Sequence, residues 1–182
     1  MELWLIGGAV AAVLLILLVW WISTANSFVA AGNKIKEAES DIEVALTKRY
    51  DMLTKLRDVA KNFMTHETDT FSKVIALRRG MGVEDLSIAN EEMDAMSRKL
   101  IAVAENYPEL RSSENFRQLQ EGIRDAEEHL QAARRLYNAN VNSFNTAIAV
   151  FPGRIVANAK GLVPAQLFRA EDSKKQDVDM TF

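Results

Sequence analysis

The apolar positions of this chain follow two different patterns. From Leu3 to Ile22 they are continuous, LWLIGGAVAAVLLILLVWWI, with 18 hydrophobic residues in 20 and no charge. From Ile35 onward they recur every three or four residues among charged neighbours. Twenty helical residues span about 30 Å, the hydrocarbon thickness of a bilayer, so the first pattern predicts a transmembrane helix. All three Trp fall inside it, Trp4 near one end and Trp20 and Trp21 near the other. Indole rings collect at both headgroup levels, which makes these three the expected membrane-interface residues, in contact with the lipid bilayer. A cleaved signal peptide is the alternative, with Ser23-Thr24-Ala25 as a loose cleavage site. The lack of a basic leader and the length of the run favour a retained anchor. Lys34 and Lys36 follow the span and no Lys or Arg precedes it. The positive-inside rule then points to an external N-terminus and a cytoplasmic body.

The second pattern predicts long helices. Ile35, Ala38, Ile42, Ala45, Met52, Leu56, Val59 and Phe63 form one stripe, interrupted by Arg49, as in a helix with one buried face. Arg79-Gly80-Met81-Gly82 should break it, because paired glycines disfavour helix. A second helix from Glu84 or Asp85 carries Leu86, Ala89, Met93, Met96, Leu100, Val103 and Tyr107 in heptad spacing and should stop at Pro108. Ser112 or Ser113 can cap a third, with Glu114 in its first turn. Its seam runs Phe116, Leu119, Ile123, Ala126, Leu130, Ala133, Tyr137, Asn140, Phe144, Ala147 and Phe151, up to Pro152-Gly153. A short segment, roughly Arg154–Gly161, follows. Short connections imply antiparallel neighbours. The expected fold is all-α: an N-terminal transmembrane helix, then an elongated antiparallel helical bundle with long heptad-patterned helices.

Lengths carry a further expectation. Lys34–Arg79, Glu84–Tyr107 and Ser113–Phe151 would run about 69, 36 and 58 Å. The second helix cannot cover the first, so Ile35, Ala38, Ile42 and Ala45 must meet another helix, the returning segment or a second copy of the chain. An apolar stripe left in water is an association site. These four residues are therefore the candidate self-association surface of a homo-oligomer. Gly32 permits either one continuous helix from anchor to body or a hinge between them.

Composition then removes whole classes of function. The chain has 182 residues, a net charge of −3 and no Cys, which argues against nucleic acid as a partner and excludes thiolate chemistry. Of its two histidines, His66 opens a His-Glu pair that lacks the second His of a zinc helix motif, and His129 stands alone. The doublets Glu91-Glu92 and Glu127-Glu128 have no His three residues on, unlike di-iron bundles. No Gly-x-Ser-x-Gly is present, and Gly80-Met81-Gly82 suits a helix–helix turn better than a phosphate loop. No catalytic, metal or cofactor-binding residue is expected, and no enzymatic activity. One polar line resists the bland reading. Glu127, Gln131, Arg134, Asn138 and Asn145, with Val141 among them, flank the third helix's apolar seam at spacings of three and four. Either they are a solvated shoulder or, as we favour, polar packing residues that fix helix register.

The order of several segments resembles the LemA family. They are the uncharged span, Lys48-Arg49-Tyr50-Asp51-Met52-Leu53, and Val59-Ala60-Lys61-Asn62-Phe63-Met64-Thr65-His66-Glu67. Then come Tyr107-Pro108-Glu109-Leu110, Asn115-Phe116, Leu119, Glu127, Ala133-Arg134, Tyr137-Asn138, Val141, Phe144-Asn145 and Phe151-Pro152. Together they cover most of residues 3–170. The chain departs at Thr54-Lys55, where related chains commonly have Pro-Asn, and at Phe144, where they carry Tyr. The resemblance implies an N-out anchor (1–25), a LemA-like helical bundle (26–170) and a polar tail (171–182), in a bacterial inner membrane. It implies no reaction. The expected function is a non-enzymatic scaffold that self-associates at the cytoplasmic face. The alternative is an adaptor or sensory module docking a membrane protein partner in an envelope-stress or proteolytic system.

Overall fold

A computed structural model of the chain describes residues 2–61 and 81–168, with side chains from Trp4 onward. Every regular element among the described residues is helical: α1 (Glu2–Lys61), α2 (Val83–Asn106), α3 (Pro108–Ser112), α4 (Glu114–Ala149) and α5 (Gly153–Ala159). Phe63, His66, the Arg79-Gly80 pair and the polar tail lie outside the described residues.

Helix α1 is continuous through Ser23-Thr24-Ala25 and Gly32, so the hinge reading of Gly32 does not hold. Its N-terminal part is long and apolar enough to cross a membrane, and none of it is buried by the rest of the chain. The helix boundaries follow local chemistry. Gly82 precedes α2 in an extended conformation and accepts the amide of Leu86 at 3.0 Å, with Glu84 and Asp85 in the first turn, where carboxylates favour the helix dipole. Pro108 ends α2 and also starts α3, because proline suits a first helical position. Ser113 is extended, and its carbonyl accepts the amide of Arg117 at 3.1 Å to begin α4.

The chain divides into two compact units. One comprises Met1–Glu37 and Asn138–Gln166; the other comprises Ala38–Tyr137 and Leu167–Phe182. In the first, Ala25, Phe28 and Ile35 of α1 are buried, as are Val141, Phe144 and Ile148 of α4 and Val156 and Ala157 of α5. In the second, the core comes from Ala38, Ile42, Leu46, Leu53, Leu56 and Ala60 of α1, Leu86, Met93 and Leu100 of α2, Leu110 of α3, and Phe116, Ile123, Ala126, Leu130 and Tyr137 of α4.

Burial corrects the seams in one consistent direction. On α4, Phe116 through Tyr137 largely keep the expected positions, but then Val141 and Ile148 are buried while Phe151 is 82% exposed. An α-helix has 3.6 residues per turn and drifts about 20° per heptad from a strict 3.5 repeat, so after three heptads the inward face has moved on by one residue. On α1 the stripe reads Ile42, Leu46, Arg49, Leu53, Leu56, Ala60. Arg49 belongs to the stripe and does not interrupt it, and Leu53 and Ala60 replace Met52 and Val59 as its buried members. On α2, Tyr107 is exposed rather than the last rung of the seam.

Two glycines make opposite predictions. A Cβ built on Gly153 would lie 2.7 Å from the Ala147 carbonyl oxygen and 3.4 Å from the Phe28 ring, whereas one on Gly32 meets nothing within 4 Å. Gly32→Ala should therefore stabilise α1 by up to about 1 kcal/mol through helix propensity. Gly153→Ala should destabilise, because backbone must move. Thermal melts of the two variants check both signs.

Candidate functional site

The most unusual chemistry in the second unit is a charged cluster inside its core. Arg49 is only 4% exposed, and Asn90 and Asp94 on α2 are buried with it. Its Nη1 donates to Asn90 Oδ1 at 2.7 Å and lies 3.0 Å from Glu127 Oε2, and its Nη2 donates to Asp94 Oδ1. Gln131 Nε2 donates to the other Glu127 oxygen at 2.9 Å. One side chain of α1 thus ties α2 to α4. A guanidinium suits this position because its planar fork serves two helices at once and stays charged when buried. Asn90 and Asp94 are four apart on α2, so both face Arg49 from consecutive turns.

Further contacts join α1 and α4 in this unit. Lys48 pairs with Asp125, Arg49 with Glu127, and Asp41 and Val44 share a groove with Ala132 and Leu136. Further along, Arg134 lies over the Phe168 ring at 4.6 Å from its centroid, a cation–π contact that holds the returning segment. Tyr137 is buried, and this burial, helped by the Glu39 charge, raises its pKa and keeps the phenol neutral.

Two asparagines act in the first unit. Asn145 Nδ2 donates to the Ala165 carbonyl at 2.9 Å, and its Oδ1 accepts the Ala165 amide at 2.8 Å. That is a two-bond clamp on one extended residue of the segment after α5. Asn140 Nδ2 donates to the Lys34 carbonyl of α1 at 3.1 Å.

Of the predicted polar packing residues, Glu127 meets Arg49 of α1, Gln131 bonds to Glu127 within α4, Arg134 and Asn145 meet Phe168 and Ala165 after α5, and Asn138 is half-buried. They do not converge on one site. Arg49, Asn90 and Asp94 carry the core network and were not singled out by sequence. The legible signal was an arginine whose spacing to Ile42, Leu46, Leu53 and Leu56 fits the buried face.

The candidate self-association residues have a different fate. Ile35, Ala38, Ile42 and Ala45 are all buried within the chain's own fold, so this stripe is not an open face. An open apolar groove in the second unit borders that stripe at Ala45. It is about 340 Å³, lined by Val44, Ala45, Ala132, Ala133 and Leu136, with Asp41, Lys48 and His129 on it. Val44 is 66% exposed and Leu136 50%. At the predicted membrane interface, Trp4 and Trp21 are exposed and Trp20 is half-buried. No group of three or more His, Cys, Asp or Glu able to hold a metal occurs among the described residues.

Residues 38–182 match the LemA family. The chain belongs to the LemA family. Among curated relatives, it is similar to "Protein LemA" of Metamycoplasma hominis, 27% identical over 164 residues, an alignment covering 87% of this chain and 75% of the relative. The LemA-like segments include Arg49, Glu127, Arg134 and Asn145, so several polar residues that carry the family resemblance also fasten its helices together.

The surface pair makes a pH prediction. The hydrogen bond from Lys48, then its charge, then the weaker pull of His129 hold the Asp125 carboxyl below its ordinary value. A depressed folded-state pKa contributes stability above the ordinary carboxylate range and loses it as pH falls through the lowered value. Both side chains are exposed, so the contribution is small. A carboxyl NMR titration should show Asp125 titrating low, and Lys48→Ala should return it toward the usual range.

Proposed function

We propose that this LemA-family chain is a non-enzymatic, membrane-anchored helical scaffold that self-associates at the cytoplasmic face of a bacterial inner membrane. The observation that carries the reading is the pairing of an uncovered apolar span with an outward apolar groove on the same helix. Val44 and Leu136 are exposed in that groove, and anchoring confines copies to one surface in one orientation, which raises their effective concentration. A two-fold association then has its axis along the bilayer normal and presents the same groove from both copies. Retention of the anchor is supported by Ala25, which is buried in mid-helix where a cleavage site would need accessible backbone. The cytoplasmic orientation is supported by Lys34 and Lys36 just after the span. A non-catalytic role is supported by the polar network, whose members bond to one another inside the core instead of facing an opening.

Light scattering of the detergent-extracted full chain tests this directly. An oligomer that dissociates in the Val44→Glu, Leu136→Glu variant is expected, and a strict monomer sinks the scaffold. The same groove also serves the second reading, an adaptor for a membrane protein partner. In that case the variant would lose a heterologous partner while the wild type is already monomeric.

A further inference from the structure

The first unit has an apolar corner that its own core does not use. Helix α4 approaches the span as it proceeds: Asn140 bonds to Lys34, and Gly153, just beyond its end, packs against Phe28. Phe28 lies six residues past Ile22, about 9 Å along a helix. Ala25, only three residues past the span, is already buried, so this unit reaches to within about 5 Å of the apolar run along the α1 axis. Headgroup zones are several ångströms thick on each side of the hydrocarbon. The corner between α4 and α5 therefore sits at headgroup depth when α1 crosses a bilayer. At that corner Val150, Phe151 and Ile155 are exposed, Phe151 most of all.

Charge is distributed to match. Past the span, the first unit (residues 23–37 and 138–166) carries four basic side chains, Lys34, Lys36, Arg154 and Lys160, against one acidic, Glu37, although the whole chain carries −3. Arg154 and Lys160 are exposed. Basic groups within a Debye length of an anionic surface are attracted to it. An aromatic residue beside them favours the interface over water.

We propose that the α4–α5 corner is a second membrane-contacting element, in which Phe151, with Val150 and Ile155, seats in the interfacial zone of an anionic phospholipid bilayer and Arg154 and Lys160 meet its headgroups. The inference rests on the reading of α1 as a retained anchor. It gives the first unit a second point of contact with the bilayer beside α1.

The chain has no Cys, so single labels are clean. Full-length Phe151→Cys and Leu15→Cys proteins, each carrying an environment-sensitive fluorophore, are reconstituted into vesicles of phosphatidylcholine with phosphatidylglycerol and into phosphatidylcholine alone. Expected are deep quenching by chain-labelled lipids at position 15 in both vesicle types. At position 151 we expect a blue-shifted emission and shallow quenching, several-fold stronger with phosphatidylglycerol. Adding Arg154→Glu and Lys160→Glu should abolish that difference, with circular dichroism confirming unchanged helix content. Quenching at 15 without quenching at 151 overturns the corner contact and leaves the anchor standing. No quenching at 15 overturns the anchor, and the corner with it. A blue shift at 151 without lipid quenching means that protein covers Phe151, which also overturns the proposal.

Discussion

Arg49→Met should destabilise the folded body by about 3–5 kcal/mol, the cost of removing one partner from a buried ion pair. The reason is asymmetric exposure among the groups left behind. Glu127 keeps about a quarter of its side-chain surface in solvent and can turn toward water, but the Asp94 side chain is only 9% exposed. Asp94 would lose the guanidinium bonded to it in the core, and Asn90 would lose a donor. Arg49→Lys should recover part of the loss, since an ammonium replaces the charge but not the fork that reaches α2 and α4 together. The triple variant Arg49→Met, Asn90→Leu, Asp94→Leu should recover most of it, because an apolar replacement of a whole buried network is often neutral. Urea or thermal unfolding of the full chain in detergent reads all three. A single-variant loss below about 1 kcal/mol would show that the cluster is not a structural tie.

Phe116→Ala should be comparably severe, about 3–5 kcal/mol, whereas Phe151→Ala should change folding stability by no more than about 0.5 kcal/mol. Both residues occupy the same heptad position on paper. Phe116 is 1% exposed in the core of its unit and Phe151 is almost fully exposed. Truncating the first leaves a cavity in a buried core, and truncating the second removes an exposed ring. Equal losses at both sites would mean that the 3.5-residue repeat, not the straight helix, governs α4.

Much of the fold was legible because it depends on local rules. The span is recognisable from twenty uncharged residues, and the helix boundaries from Gly82, Pro108 and Pro152-Gly153. The polar line on α4 was also legible, and in the fold Glu127 meets Arg49 while Asn145 bonds to Ala165. Less legible was the role of Arg49. It was read as an interruption because a lone charge in an apolar stripe acquires meaning only from its partners, and these lie 41 and 45 residues away on α2. For a similar reason the stripe from Ile35 to Ala45 reads only as needing a cover, from another helix, the returning segment or a second copy. Helix lengths say how much surface needs covering but not which segment covers it.

By itself, the sequence determined an all-helical chain with an apolar N-terminal span, the points where its helices stop, and the face of each helix that turns inward. Those depend on backbone periodicity, turn chemistry and transfer from water, which act within a few residues. Tertiary structure alone decided which inward faces meet and at what rotation. It moved the α4 seam from Ala147 to Ile148, enclosed Arg49 with Asn90 and Asp94, and left Val44, Leu136 and Phe151 outside. A helix carries its own period in its sequence, whereas the angle at which two helices meet is set by side chains distant in the chain packing at one density.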